Sequence, residues 1–524
     1  MQTDECPTHS ETSSLKTPLV LSVFLALHFT VLHADVLPNG LFGDNAVLQQ
    51  GRRVPVWGTA SEGEKVTVAF GGQKVEVVAK DGKWMAWLEP MRASSTPQTM
   101  TISGSNSLTM TNILVGEVWL CGGQSNMERK FPQLVSNDPS QLPPVNLEQE
   151  TAAADHPEIR HITIPQITSS NPLSTISTNW VICSPQTVTN FTAVGYFFAR
   201  DLQKEIKVPI GLINSSWGGS IAAAWSRHAS METNPALTPI LSDYAKDVAS
   251  YSERLAKYQA DESRIQSRYT NAVAEAKAKG QRPPNPPHPP GDPVKNVNSP
   301  SYMFNAMINP LIPYAIRGVI WYQGETDRLK ADQYQKTFPA LISDWRNLWG
   351  EGDFPFLYVQ IAPCKMIGPE IREAQLLTLK RTTNTAMTVI TDWGHPNNMH
   401  PIHKEPVGHR LSLAARALAY GQSIEFSGPI YKEAMINGNS ITIRFDHAGH
   451  ELVAKGSPLK GFLIAGADKV FVPAQAEIRG ETVVVSSPQV TNPVAVRYGW
   501  DSVPDVNLFN DAGLPASPFR TDIP

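Results

Sequence analysis

Cysteine is scarce in this chain, with four residues in 524, at positions 6, 121, 183 and 364. Four scattered cysteines make no disulfide framework, so stability must come from a buried core, and a chain of this length has material for two or three domains. Charge imbalance is equally slight. The 44 Lys and Arg stand against 48 Asp and Glu, a formal net charge of −4, which excludes the basic footprint of a nucleic-acid or anionic-membrane binder. Long hydrophobic runs are missing too, with one exception at 19–32, preceded by Lys16 and followed by His33-Ala34. About 14 residues is the length of a signal-peptide core and falls short of the roughly 20 that span a bilayer. Residues 1–34 therefore read as a signal peptide that takes Cys6 with it. The mature chain is then expected to carry no membrane span and to be secreted or periplasmic. Asp4, Glu5 and Glu11 make a poor basic start for such a segment, which leaves a later start or retention as an anchor open.

Metal spacing is absent as well. His395, His400, His403 and His409 are dense, but no Asp/Glu/His cluster with zinc-like spacing joins them, and Pro401 and Pro406 interrupt any shared helix face. No metal and no cofactor are expected. Cys121 closes an apolar strand and reads as a small buried residue.

Proline, by contrast, is plentiful at 43, and tryptophan stands at 12. Three regions separate by pattern. Over 35–111 the chain alternates with a two-residue period, in Lys65-Val66-Thr67-Val68-Ala69-Phe70, Lys74-Val75-Glu76-Val77-Val78 and Lys83-Trp84-Met85-Ala86-Trp87, which predicts an N-terminal β-sandwich domain. Over 112–421 apolar strands alternate with helical stretches such as 193–207 and 406–420. That alternation predicts an α/β unit around a doubly wound parallel sheet. An insertion at 229–301 interrupts it. Its polar, alanine-rich part at 244–279 is helix-friendly, and it breaks in Pro283-Pro284-Asn285-Pro286-Pro287-His288-Pro289-Pro290, a polyproline II pattern. A solvated helical arm with a stiff return is expected, with a lid or a subunit contact as the alternative use. Over 422–524 short strands return, as in Ser440-Ile441-Thr442-Ile443-Arg444-Phe445, predicting a C-terminal β-rich domain.

Three strand ends carry chemistry. Val118-Trp119-Leu120-Cys121 runs into Gly122-Gly123-Gln124-Ser125-Asn126-Met127, a sharp turn that sets a serine at the rim of a sheet. Arg317-Gly318-Val319-Ile320-Trp321-Tyr322 runs into Gln323-Gly324-Glu325, offering an amide and a carboxylate. Thr388-Val389-Ile390-Thr391-Asp392-Trp393-Gly394 leads to Asn398-Met399-His400-Pro401. In an open α/β sheet such ends converge, because sites form outside the carboxyl edge.

These motifs, with Trp217-Gly218-Gly219-Ser220, Ala224-Trp225-Ser226, Arg372-Glu373-Ala374-Gln375 and Arg497-Tyr498-Gly499-Trp500, resemble the sialate O-acetylesterase family, a branch of the SGNH (GDSL-type) hydrolases. The resemblance covers nearly the whole mature chain. It implies an SGNH-type catalytic domain and removal of O-acetyl groups from sugars, so the expected partner is an acetylated carbohydrate. Acetylated sialic acid and acetylated xylan are not separated by these motifs. A sugar-binding protein without turnover is the reading from another class, and the sequence is silent on oligomeric state.

Ester hydrolysis by serine needs a base within hydrogen-bond reach, and His400 is the candidate for Ser125. The oxyanion hole would be built from the N–H of Ser125, an N–H of Gly218 or Gly219, and the Gln323 amide. Many enzymes of this branch carry an aspartate two or three residues before the histidine, where this chain has Asn397 and Asn398. Three arrangements stay open: Asp392 as the acid, Glu325 as the acid, or a Ser–His dyad. Gln124, Asn126, Trp217 and Arg372 are the candidate substrate contacts, Arg372 because a guanidinium can meet a carboxylate. Trp217 and Trp225 could wall a sugar site or pack in the core.

Overall fold

The computed structural model describes residues 35–136, 138, 141 and 145–522. The stretch read as a signal peptide, Cys6 included, lies outside the described residues. One strand, Ser107–Gly123, organises the molecule. Its first half pairs antiparallel with Ser94–Ser103 and alternates between exposed and buried residues. From Ile113 onward every residue is buried, as Val47–Gln49 pairs on one side and then two parallel neighbours enclose it. Alternation suits a sheet with one wet face, and a continuous apolar run suits a strand covered on both. The sequence switches from one to the other without a break, so the boundary expected between 111 and 112 falls inside a strand. Its buried Glu117 is held by both Arg317 Nε (2.5 Å) and Nη2 (2.9 Å), so its charge is paired.

The parallel sheet runs His156–Thr163, Ile210–Ser216, Ser107–Gly123, Gly318–Tyr322, Phe356–Val359, Thr385–Thr388, with Trp180–Cys183 antiparallel at one edge. Register shows what covers each face. Cys121 pairs with Ile320 and Gly122 with Trp321, so the side chains of Cys121 and Trp321 point to opposite faces. On the Cys121 face lies the helix Ala193–Ile206, with Phe198 edge-on to Trp119 at 5.1 Å. On the Trp321 face lies Ala331–Trp349, whose Phe338 stacks on Trp321 and whose Trp345 meets it edge-on. Helix Glu405–Leu418 packs on Ala193–Ile206 through Gly408, where a Cβ would stand 2.6 Å from that of Phe197. The chain winds to one side of Ser107–Gly123 and then to the other, which puts the switch of strand order at its carboxyl end.

Two further units flank this core. The insertion holds a helix, Thr238–Ala278, of 41 residues, about 61 Å long at 1.5 Å per residue. Tyr251, Leu255, Tyr258, Ile265, Tyr269 and Ala276 form its less exposed stripe, and Pro287, Pro290 and Pro293 repeat every three residues on the less exposed side of the return. These are the periods of an α-helix and of polyproline II. After Glu405–Leu418 come antiparallel sheets, one of Ile430–Asn437, Ser440–Asp446, Thr482–Ser486 and Gln475–Arg479, the other of Val472–Pro473, Phe462–Ala465, Ala495–Tyr498 and Phe519–Arg520. The second is tied to the helix Pro369–Leu379 by a two-bond pair of Arg520 with Glu373, at 2.7 and 2.9 Å. Among the described residues no helix is long and apolar enough to cross a membrane.

Candidate active site

Register brings the site together. Gly123 sits opposite both Ser216 and Tyr322, so three strands end at one level. The ladder runs one step further, with Gln124 N–H on Tyr322 O (2.9 Å) and Trp217 N–H on Gly123 O (3.0 Å). The two glycines before the serine are required by what surrounds them. A Cβ on Gly122 would stand 2.7 Å from the Trp321 ring, and one on Gly123, at φ +129°, would stand 2.2 Å from Tyr322 O. The chain then turns at once into the short helix Ser125–Glu128.

Ser125 Oγ lies 2.8 Å from His400 Nε2, across 275 residues of sequence. The loop carrying His400 is held at two points: its own N–H donates to Asn398 Oδ1 (2.9 Å), and Met399 O accepts from Asn126 Nδ2 (3.0 Å). Asn126 is fully buried and ties three turns together, since Nδ2 also donates to Glu325 Oε1 (2.5 Å) and Oδ1 accepts from Lys404 Nζ (2.5 Å). Lys404 is buried over the Tyr322 ring at 5.1 Å. Burial pushes its ammonium down to about 7, opposed by Glu325, and burial raises the Glu325 carboxyl, opposed by the Asn126 bond. Burial, then Arg129 and Lys404, hold the His400 imidazole down to about 4, so it is neutral at neutral pH.

Several expected roles are placed differently by the structure. Asp392 receives both Nη1 (2.7 Å) and Nη2 (2.6 Å) of Arg410, and that fork turns it away from His400. Glu325 meets Asn126, not the imidazole. Among the described residues no carboxylate bonds His400, and of the three arrangements left open the geometry presents the Ser–His pair. The Gln323 amide is diverted as well: Nε2 donates to Asp327 Oδ2 (2.5 Å) and Ser220 O (3.1 Å), which uses both its hydrogens behind the turn. Gly218 N–H is occupied by Glu128 Oε2 at 2.6 Å, whereas Gly219 N–H meets no acceptor among the described residues.

The candidate substrate contacts divide. Gln124 points inward, its Oε1 accepting from the N–H groups of Gly324 and Thr326 at 3.3 Å each, so it shapes the Gln-Gly-Glu turn. Asn126 is the buried tie already described. Arg372 is fully buried and donates to the carbonyls of Asp501 and Ser502, clamping the C-terminal unit, so no substrate carboxylate reaches it. Trp217 stays half-buried just past the end of Ile210–Ser216. Trp225 is core, edge-on to Trp321 at 6.0 Å. The other histidines go separate ways, His395 to Asp138, His409 to Asp201 and His403 to the Trp393 ring. Among the described residues no group of three His, Cys, Asp or Glu is placed to hold a metal ion.

Lys404, Glu128 and Asp327 escaped the sequence reading. Lys404 had no signal, because a lysine beside prolines reads as surface.

Comparison with known proteins points to carbohydrate esterases. Residues 291–413 match a family model described as carbohydrate esterase, sialic acid-specific acetylesterase. The sialate O-acetylesterase of Rattus norvegicus is 28% identical over 521 residues, covering 89% of this chain and 91% of the relative, and that of Homo sapiens is 28% identical with 88% of each covered. The crystal structure of a carbohydrate acetylesterase from Xanthomonas citri superposes with a TM-score of 0.77 at 35% identity, covering 93% of this chain and 100% of the other. With motifs and fold matched over most of its length, this chain belongs to the sialate O-acetylesterase family of carbohydrate esterases and is a carboxylic ester hydrolase acting on acetylated sugars.

Proposed function

We propose that the chain is an exported serine esterase of SGNH type in which Ser125 and His400 work as a dyad. The carrying observation is the 2.8 Å approach of Ser125 Oγ to His400 Nε2 at the switch of strand order. Nε2 takes the hydroxyl proton as Oγ bonds the acetyl carbonyl carbon. The tetrahedral oxyanion is met by the N–H groups of Ser125 and Gly219, and the proton passes to the departing sugar oxygen. Water repeats the sequence on the acetyl-serine and releases acetate. Among the described residues no carboxylate bonds the imidazole, so its placement falls to the backbone bonds of Asn398 and Asn126. The apolar stretch 19–32 supports export.

Likeness to the curated relatives favours O-acetylated sialic acid as substrate. An acetylated neutral polysaccharide such as xylan is the second reading, favoured by Arg372, the cation assigned to a carboxylate, being turned inward. Rates on O-acetylated N-acetylneuraminic acid and on acetylated xylan, compared at equal acetyl concentration, decide it. A sialate preference of about tenfold or more in kcat/KM upholds the first reading, and the reverse preference installs the second.

The depressed imidazole fixes the pH profile. Only neutral His400 accepts the serine proton, and it stays neutral down to about 4. We expect kcat/KM to hold level from neutral pH to about 5 and to fall below it with a midpoint near 4. A midpoint at or above 6.5, the ordinary value, would mean that a carboxylate raises the imidazole after all.

A further inference from the structure

The turn after Trp217 is gripped at almost every peptide group, from four separate directions. Gly218 N–H goes to Glu128 Oε2 (2.6 Å), and Gly219 O accepts from Asn298 Nδ2 (2.9 Å). Ser220 O accepts from Gln323 Nε2 (3.1 Å), and Ser220 Oγ from Trp225 Nε1 (2.9 Å). Ile221 N–H returns to Asn298 Oδ1 (3.0 Å), and Ala222 N–H to Asp327 Oδ2 (2.9 Å). Within this frame the N–H groups of Gly219 and Ser220 alone have no acceptor among the described residues. Gly219 takes φ +75°, which opens the peptide outward, and a Cβ on its neighbour Gly218 would stand 3.4 Å from Ser125 Cβ. Gly218 is therefore beside the serine and the Gly219 N–H follows it by one peptide, and a donor locked before the reaction costs nothing to reorganise during it.

Asn298 is the unexpected member of the grip. It sits at the foot of the proline-rich return and reaches the turn with both ends of its amide, one bond on each side of Ser220. The return is anchored just beyond it, where Ser301 N–H donates to Ala223 O at 3.0 Å. Neither contact touches the reacting atoms.

We infer that Asn298 is a positioning residue for the oxyanion hole, fixing the Gly219 peptide so that its N–H faces the tetrahedral intermediate, and that the helical arm is thereby built into the catalytic turn. This rests on the reading of Ser125 as nucleophile. The insertion is then neither a detachable lid nor a bare surface arm.

The test compares Asn298→Ala, Asn298→Asp, Ser125→Ala and the exposed arm control Lys295→Ala in the full chain, on 4-nitrophenyl acetate and with an arylboronic acid, which forms a tetrahedral serine adduct. Asn298→Ala should lower kcat between about 10- and 100-fold with KM within twofold, and weaken the boronic acid by a like factor. Asn298→Asp keeps the acceptor for Ile221 N–H but loses the donor to Gly219 O, so it should fall in the same direction while preserving the fold. Lys295→Ala should be unchanged. If Asn298→Ala does not fold, the aspartate variant decides by the same criterion. Wild-type kcat and boronate affinity in a folded Asn298 variant, with Ser125→Ala dead, overturn the inference. An active Ser125→Ala overturns the nucleophile reading instead.

Discussion

Ser125→Ala and His400→Ala should each lower kcat on 4-nitrophenyl acetate by about 10⁴-fold or more, while Asp392→Asn should stay within about threefold of wild type. The contrast carries the argument. In a serine triad the orienting aspartate is worth about 10⁴ in kcat when changed to asparagine, because the histidine then sits in the wrong tautomer. Here Asp392 is engaged by the fork of Arg410, and His400 has no carboxylate partner among the described residues. Removing the Asp392 charge should therefore appear in unfolding by urea, where Arg410 loses an ion pair, and not in turnover. A 10³-fold or larger loss for Asp392→Asn, with the fold intact, would restore the triad and sink the dyad.

Lys404→Met has the second large effect. Lys404 is fully buried, and its ammonium compensates Glu325 through the Asn126 amide between them. Without it a buried carboxylate stands alone and Asn126 Oδ1 loses its donor, a class of change that costs about 3–5 kcal/mol. Turnover should fall with stability, because the same amide holds Met399 O, next to His400. The double variant Lys404→Met with Glu325→Gln should recover much of the lost stability, since it removes the stranded charge as well. Denaturant midpoints of the single and double variants check this. A single variant within 1 kcal/mol of wild type would mean that Glu325 is already neutral and unpaired.

The sequence made the convergence of the segments carrying Ser125, Gln323 and His400 legible, for a physical reason, although the Gln323 amide itself turns away. Apolar runs ending in glycine mark strands that stop at a rim, and parallel strands stop at one edge. The helices were legible too, with 193–207 and 406–420 expected and Ala193–Ile206 and Glu405–Leu418 found. Less legible was which way each polar group turns once it reaches the rim. Gln323 and Glu325 leave the same strand two residues apart, yet one amide is spent on Asp327 behind the turn and the carboxylate on Asn126. Asp392 is captured by Arg410, a residue 18 positions on in a helix, through a rotation of that helix that no local pattern encodes. Lys404 was invisible for a related reason, as only its neighbours in space make it a core residue.

The unbroken course of Ser107–Gly123 bears on how such a chain can be recombined. A module that moves between genes needs a border where the backbone crosses solvent and few ladder bonds span the cut. Here the natural-looking border lies within a ladder, and the strand it would sever ends at Gly123, two residues before Ser125. A foreign N-terminal unit grafted at 111 would bring its own register, and a slip of one residue turns every side chain to the opposite face. In shuffling or in ancestry, the N-terminal strands and the serine should travel as a single heritable piece.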